Sequence, residues 1–263
     1  MRLRLHWQLA TYGWRRQTTY RAATLAGLFT NSVFGFVQAA VLVAARKAAG
    51  APIAGYDTAA LVTYAWLAQA LIGPLAVFRW TEIADRVRSG EIATDFSRPA
   101  DLQAWWLSVD VGRAGASVLL RSVPQVLIGA VFFRLMWPGS VLQCVAFALS
   151  LALAVVVSFG LRFLANVAVF WTVEQRGVMA AHNVLMIVLS GFIIPLGFYP
   201  AWLASLLRAL PWAAAVQGPI DVFLGQRPAA AIVALQLVWI AALLALGRAV
   251  TRVAHRKLVV QGG

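Results

Sequence analysis

The chain of 263 residues is 62% hydrophobic and 12% charged, with a formal net charge of +13. This composition excludes a globular domain that folds in water, because too few charged side chains remain to cover its apolar surface. Cys144 is the only cysteine, which excludes an intrachain disulfide and a cysteine-based metal site. The sequence has no Gly-x-x-x-x-Gly-Lys-Ser/Thr loop for nucleotide phosphates and no His-Glu-x-x-His motif for zinc.

Six apolar stretches of 19 to 24 residues run through the sequence. A helix rises 1.5 Å per residue, so about 20 apolar residues cross a hydrocarbon core of roughly 30 Å. We therefore predict an all-α polytopic membrane protein with six transmembrane helices. The predicted spans are 22–45, 59–78, 114–136, 141–161, 178–198 and 229–247.

Positive charge predicts the orientation, because short flanks rich in Arg and Lys stay cytoplasmic. With six spans, both chain ends lie on one side of the membrane. That side carries fifteen Arg and Lys residues and the other side carries five. We predict that both termini are cytoplasmic. The charges flank the spans and face anionic headgroups, so we expect membrane lipids, and no nucleic acid, as their partners.

Residues 2–21 interleave arginines with Leu, Trp and Tyr. Aromatic rings favour the headgroup level of a bilayer. We predict an amphipathic helix that lies on the inner membrane surface, with a disordered basic tail as the alternative.

The segment 79–113 is the most polar part of the chain. Acids and arginines alternate in it at roughly helical spacing up to Gly90, and Arg98-Pro99 marks a second boundary. We predict a short charged helix that projects into the cytosol and docks on a partner; a solvated loop is the alternative. The segment holds six of the nine acids: Glu82, Asp85, Glu91, Asp95, Asp101 and Asp110.

Helix-breaking residues cluster at the end of the fifth predicted span and beyond it. Glycine and proline at membrane depth are tolerated where the freed backbone is buried in protein or lines a cavity. Residues 199–228 are too broken to cross the membrane twice, so we predict a re-entrant outer helical hairpin before span six. The residues of this region that a family resemblance assigns to a gate are Gly191, Pro195, Pro200, Trp202, Pro211 and Pro219.

Few polar side chains fall within the predicted spans, and none of them is acidic. We expect Arg121 and Arg162 to reach the inner headgroups by snorkelling, with a role in a pathway as the alternative. The polar groups available to a pathway are Asn31, Gln69, Arg162 and Asn166, although each one singly is more typical of a helix–helix hydrogen bond.

The order of these parts resembles the ABC-2-type export permeases, and in particular the small six-span permeases that pair with a separate ATPase subunit. The polar segment resembles the coupling helix of that family, most closely at Gly90-Glu91-Ile92-Ala93 and Ser97-Arg98-Pro99. The run from Ser190-Gly191 to Gly218-Pro219 resembles the end of span five and the re-entrant hairpin. The resemblance covers nearly the whole chain.

The resemblance implies one permease domain over residues 1–263. Its parts are the interfacial helix 2–21, spans one and two in 22–78, a cytosolic coupling segment 79–113, spans three to five in 114–198, the outer hairpin 199–228, and span six with a cytosolic tail in 229–263. The residues that would couple it to an ATPase are Glu82, Asp85, Arg86, Arg88, Gly90, Glu91, Arg98 and Pro99.

The resemblance also implies the partners: cytosolic ABC ATPase subunits and a second permease chain, with a related sister favoured over an identical copy. ATP and Mg²⁺ would bind the ATPase, so we expect no catalytic residue, cofactor or metal on this chain. The expected activity is export of a lipophilic toxic compound, antibiotic or lipid-like substrate across the bacterial cytoplasmic membrane. The alternatives are a secondary carrier or channel built on Arg162 and Asn166, and an enzyme acting on lipids.

Overall fold

The computed structural model describes residues 2–50, 53–78, 80–97, 100–172 and 174–261. Within these ranges it is all-α and contains no β-strand, as predicted. The helices are α1 (Arg2–Thr19), α2 (Arg21–Ala49), α3 (Thr58–Leu75), α4 (Glu82–Ser89), α5 (Ile92–Phe96), α6 (Leu102–Ser117), α7 (Val123–Phe132), α8 (Val141–Thr172), α9 (Gln175–Leu189), α10 (Ala201–Ala209), α11 (Pro211–Ala215), α12 (Gln217–Leu224) and α13 (Ala229–Gln261).

Five helical segments in the described part of the chain are long and apolar enough to cross a membrane. They are α2, α3, the continuous helix Leu102–Phe132, α8 and Ala229–Arg256 of α13. The fifth predicted span falls on α9, which has 15 residues and is therefore only about 22 Å long. Its helix ends at Leu189, before the glycine and prolines that follow. The prediction of six spans is thus not confirmed. The prediction of several apolar membrane helices is confirmed.

The third long helix begins at Leu102, twelve residues before the predicted start of span three. The side chain of Asp101 caps it by accepting a hydrogen bond from the backbone nitrogen of Ala104 at 2.7 Å. A π-helical turn, Val118–Ser122, joins α6 to α7 just before Pro124, which has no N–H to donate. Asp110, which precedes the predicted span 114–136 in the sequence, lies inside this helix.

The centre of the fold is α3, which is apolar on all sides and almost wholly buried. Its Trp66 has no exposed surface and packs against Gly35 of α2 and Gly129 of α7. A second cluster of buried hydrophobic residues lies beyond the end of α3 and mounts α4 and α5 on α6 and α8; its members include Trp80, Ile83, Ile92, Trp106, Phe159, Phe163 and Val167. We call this end of the bundle the α4 end and the other the α12 end.

Helix α1 packs along α6 with almost no space between the two backbones. A Cβ atom on Gly13 would lie 2.0 Å from the carbonyl oxygen of Val109, and one on Gly112 would lie 1.8 Å from that of Ala10. The predicted helix at the start of the chain is therefore present, and it packs on α6. Its place on a membrane surface stays a prediction.

We predict that Gly112→Ala destabilises the protein by about 1–3 kcal/mol, because the added methyl group collides with the backbone of α1. The matched control is Gly115→Ala in the same helix, where the nearest atom is 3.4 Å away on the Trp14 ring. There the higher helix propensity of alanine stabilises the protein instead. Thermal unfolding of the two variants in detergent checks this, and equal shifts for both would contradict the close packing of α1 on α6.

Candidate functional site

The segment α4–α5 forms a compact hairpin whose turn is closed by Gly90, at φ +78°. Arg86 of α4 pairs with Glu91 at 3.0 Å and with Asp95 of α5, so it joins the two helices. Ile83 and Ile92 anchor the hairpin in the hydrophobic cluster at the α4 end. The predicted charged helix is thus present as a rigid unit; Arg98 and Pro99, also assigned to coupling, lie outside the described residues.

Three more of the charged residues assigned to coupling bind elsewhere within the chain. Glu82 pairs with Arg16 of α1 at 2.8 Å. Asp85 accepts a hydrogen bond from the Gln175 amide at 2.9 Å, and Arg88 donates to that amide at 3.3 Å. These contacts connect the hairpin to α1 and to the start of α9. The charged side chains of Glu82, Asp85 and Arg88 therefore help to hold α4 in position.

Asn166 of α8 attaches the hairpin to the long helices. Its Oδ1 accepts from the backbone nitrogen of Ala84 at 3.0 Å, and its Nδ2 donates to the carbonyl of Trp80 at 2.8 Å. The Ala84 N–H belongs to the first turn of α4 and has no partner within that helix. Asn166 therefore acts as a helix cap supplied by another helix, and any displacement of α4 pulls on α8.

A buried charge cluster lies directly beneath this contact. Arg162 of α8 donates to Asp110 of α6 at 2.7 Å and 3.2 Å, and Arg113 donates to the same carboxylate at 2.7 Å. Arg162 is 2% exposed and its guanidinium lies 5.0 Å from the centre of a Trp80 ring. The prediction that Arg162 snorkels to the headgroups is wrong, because its charge is neutralised inside the protein by a residue 52 positions away.

The charge cluster also holds the end of α3. Pro74 has no N–H, so the carbonyl of Ala70 loses its usual partner and accepts instead from Ser122 at 2.6 Å. Arg113 donates to the carbonyls of Gly73 and Pro74, each at 2.7 Å. Ser158 does the same for Leu75 at 2.7 Å. Side chains from α6, α8 and the π turn thus replace the missing helical bonds of α3.

An apolar pocket of about 550 Å³ lies farther along the bundle, between α2, α3 and residues 187–194. Its walls are mainly aliphatic and aromatic, and none of its described lining residues is charged. The α2 side of the pocket is open, because Phe34, Val37 and Val41 are more than half exposed. The lining residues are Thr30, Asn31, Phe34, Val37, Gln38, Val41, Leu42, Gln69, Ile72, Phe78, Ile187, Phe192, Ile193 and Ile194.

Two glutamines form the polar floor of this apolar pocket. Gln69 of α3 donates to Gln38 of α2 at 2.9 Å, and Gln38 donates to the carbonyls of Phe192 and Ile193, each at 2.9 Å. These carbonyls are free because the helix has ended at Leu189. Of the four residues predicted to line a pathway, Asn31 and Gln69 meet here. Arg162 and Asn166 lie at the α4 end instead.

The α12 end contains a buried polar network of Tyr56, Tyr64, Gln217 and Asp221. The Gln217 amide donates to Asp221 at 2.7 Å, and the Tyr64 hydroxyl lies 2.7 Å from Gln217 Oε1 and bonds to the carbonyl of Gly191. Each of the four residues is at most 2% exposed. Burial raises the pKa of Asp221, against the opposing effect of its hydrogen bonds and of Arg227 at 4.0 Å.

The residues assigned to the gate have different positions. Gly191 adopts φ +79° directly against Gln217, and Pro219 is buried in α12. The other prolines delimit short helices: Pro195 and Pro200 precede residues 196–198 and α10, and Pro211 begins α11. Trp202 is 71% exposed on α10 and takes no part in the network.

The predicted outer hairpin is a set of short helices, of which α11 and α12 are buried against α8. Gln236 of α13 donates to the carbonyl of Ala214 in α11 and to the carbonyl of Ser150 in α8. Ser150 is nine residues, and therefore about 14 Å, from Val141 at the start of α8. The segment thus dips into the bundle, although its insertion into a membrane remains a prediction.

Sequence comparison now decides the family. The family model described as ABC-2 family transporter protein matches residues 37–262. The chain belongs to the ABC-2 transporter family. The predicted resemblance is therefore confirmed, and the chain is a multi-pass membrane transporter subunit of a family that generally works with separate ABC ATPase subunits. No curated protein and no solved structure matches this ABC-2 protein.

Sequence reasoning missed Asp110, Gln38 and the whole network around Asp221. Each of them has a partner far away along the chain, which no local pattern could identify: Arg162 is 52 positions from Asp110, Gln69 is 31 from Gln38, and Tyr56 is 165 from Asp221. One signal was available for Asp110: it lies at i−3 from Arg113 in a stretch that reads as an amphipathic helix.

We predict that Asp110→Asn destabilises the ABC-2 protein by about 3–5 kcal/mol, because it leaves Arg162 buried without a counter-charge. Arg162→Met should cost less, since Asp110 keeps its pair with Arg113. Unfolding of both variants and the double variant in detergent measures this order. A greater loss for Arg162→Met than for Asp110→Asn would contradict the shared carboxylate.

We predict a pH dependence that Asp221→Asn removes. The folded protein raises the pKa of Asp221 above 3.8, so wild type gains stability relative to the variant as the pH falls towards 3.8. The gain is at most about 1.4 kcal/mol per pH unit. Melting temperatures of both proteins between pH 7 and pH 4 test this, and a constant difference between them would show that Asp221 titrates normally.

Proposed function

We propose that the chain is the permease subunit of an ATP-driven exporter in the bacterial cytoplasmic membrane, with the α4 end and both termini in the cytoplasm. The observation that carries this proposal is the mounting of α4–α5. The hairpin exposes a polar face at one end of the bundle, while its opposite face is fixed to α8 through Asn166 and the hydrophobic cluster.

The exposed face of the hairpin is the docking surface for a cytosolic ABC ATPase that binds ATP and Mg²⁺. Glu91, Arg88 and Ser89 line its turn and are exposed to solvent. The charges of Glu91 and Arg88 orient docking, while Arg86, Glu82 and Asp85 keep the hairpin in place through their internal contacts. Closure of two ATPases then moves α4, and Asn166 passes that movement to α8.

The apolar pocket is one half of the substrate pathway. Its lining of Phe and Ile side chains with a few amides suits a lipophilic compound, antibiotic or lipid-like molecule, because such a ligand loses little hydration on entry. A second permease chain, a related sister or an identical copy, covers the open α2 side. The Tyr56, Tyr64, Gln217 and Asp221 network closes the exit at the α12 end, with α9 and residues 190–200 as the fifth crossing.

The alternative, a carrier or channel that is not coupled to ATP, rests on Arg162 and Asn166. Both side chains are fully used in contacts within the chain, Arg162 with Asp110 and Asn166 with α4 and Trp80. A carrier needs a coupling group that its substrate or ion can reach. This geometry favours the ATP-driven exporter.

We expect cysteines on the exposed hairpin to cross-link to a P-loop ATPase in native membranes. Ser89→Cys and Ala93→Cys are placed singly in a Cys144→Ser background, which contains no other cysteine. Ser140→Cys, exposed in the connection before α8 at the α12 end, is the matched control. Mass spectrometry identifies the adducts.

An ATPase adduct at positions 89 and 93 but not at position 140 supports both the docking surface and the orientation. Equal labelling at all three positions, or adducts at position 140 alone, would contradict them. The same membranes then report whether ATP hydrolysis depends on the hairpin, because an adduct that locks it should stop turnover.

A further inference from the structure

A second cavity, unrelated to the apolar pocket, lies at the α4 end between α5, the start of α6 and the last turns of α13. Its volume is about 360 Å³. Arg248, Arg252 and Arg256 line it from α13. These arginines are spaced at four-residue intervals, so they form one row along the helix.

The charge in this cavity is not balanced by its own acids. None of the three arginines has an ion-pair partner among the residues that the structure describes. Asp95 and Asp101 also line the cavity. Asp95, however, pairs with Arg86, and Asp101 accepts the capping hydrogen bond of α6. The cavity therefore presents an excess of positive charge to any ligand.

An independent observation at Gln103 supports the binding of a polar group in this cavity. Gln103 lines the same cavity, is 2% exposed, and has no hydrogen-bond partner within the described residues for either its amide nitrogen or its amide oxygen. Its amide lies over Gly247, where a Cβ atom would be only 2.2 Å from Nε2. An unsatisfied buried amide is costly, and a polar group that binds in the adjoining cavity, either a ligand or water, would remove that cost.

The depth of the cavity restricts the ligand. Arg248 is 19 residues from Ala229, the first residue of α13, and therefore about 29 Å along the helix. This is roughly the thickness of the hydrocarbon core, so Arg248 and the arginines beyond it lie at headgroup level. Guanidinium groups bind phosphate with paired, charge-assisted hydrogen bonds.

We propose that this cavity is a binding site for a phosphate group, supplied by the headgroup of an anionic phospholipid in the adjoining leaflet. Arg248, Arg252 and Arg256 bind the phosphate oxygens, and the amide of Gln103 donates a further hydrogen bond. The bound headgroup thereby joins α13 to α6 beside the coupling hairpin. The site needs only the membrane insertion of α13 and does not depend on the proposed ATPase partner.

The test is native mass spectrometry of the full chain in neutral detergent, titrated with phosphatidylglycerol and with phosphatidylcholine of the same acyl chains. We expect phosphatidylglycerol to bind more tightly. Arg252→Gln should weaken its binding by about fivefold, and Gln103→Leu should weaken it without lowering the melting temperature. Arg15→Gln, which removes one exposed charge from α1, is the matched control and should leave this binding unchanged.

Glycerol 3-phosphate distinguishes the two sources of the phosphate. If it fails to displace phosphatidylglycerol, the site takes the lipid; if it displaces the lipid, the site takes a free phosphate compound. The proposal is overturned if both lipids bind equally, or if Arg15→Gln costs as much affinity as Arg252→Gln. If Gln103→Leu binds phosphatidylglycerol as tightly as the wild type, the amide of Gln103 is not part of the site.

Discussion

The shared carboxylate of Asp110 is the group on which the α4 end depends, because it forms ion pairs with two guanidinium groups where three long helices meet. Without it, Arg162 would be a buried charge with no counter-ion, and Arg113 would be drawn away from the carbonyls at the end of α3. Replacing Asp110 lowers the stability of the fold for two reasons: the attraction between the charges is lost, and Arg162 remains buried without water or a counter-ion. The position of α4 follows from the same cluster, since Asn166 is one helical turn beyond Arg162 and donates to its carbonyl.

At the α12 end, neutral hydrogen-bond donors satisfy free backbone carbonyls, whereas at the α4 end an acid balances buried arginines. Its backbone is broken between Ser190 and Pro200, and the free carbonyls in this stretch must find partners away from water. Gln38 serves two of them, and Tyr64 serves the carbonyl of Gly191. These are neutral donors, which can exchange partners at a lower cost than a buried ion pair. In the proposed exporter, the α4 end would therefore transmit force and the α12 end would rearrange.

The sequence could predict those elements that follow from local patterns, and it failed where a residue's role depends on a partner far away along the chain. Apolar length alone identified α2, α3, α8 and α13, because each side of these helices faces lipid or core. The same rule failed at Leu102, since Asp110 and Arg113 count as polar although they pair with each other and Asp110 also pairs with Arg162, 52 positions away. It also read Glu82 and Asp85 as free charges for a partner, whereas their contacts with Arg16 and Gln175 appear only once α1 and α9 are packed. The family resemblance succeeded because it uses the order of segments, which long-range pairing does not change.

The buried helix α3 contacts the charge cluster, the apolar pocket and the network at the α12 end. Arg113 and Ser158 hold its last turn, Gln69 lies on the apolar pocket, and Tyr64 reaches the network at the α12 end. These contacts lie along one almost wholly buried helix, which has little room to absorb a displacement because close-packed interiors deform little. In the proposed exporter, a shift of the charge cluster therefore moves Gln69 and Tyr64 together. Opening of the pocket and release of the exit network would then be one motion of α3, driven from the end where α4 is attached.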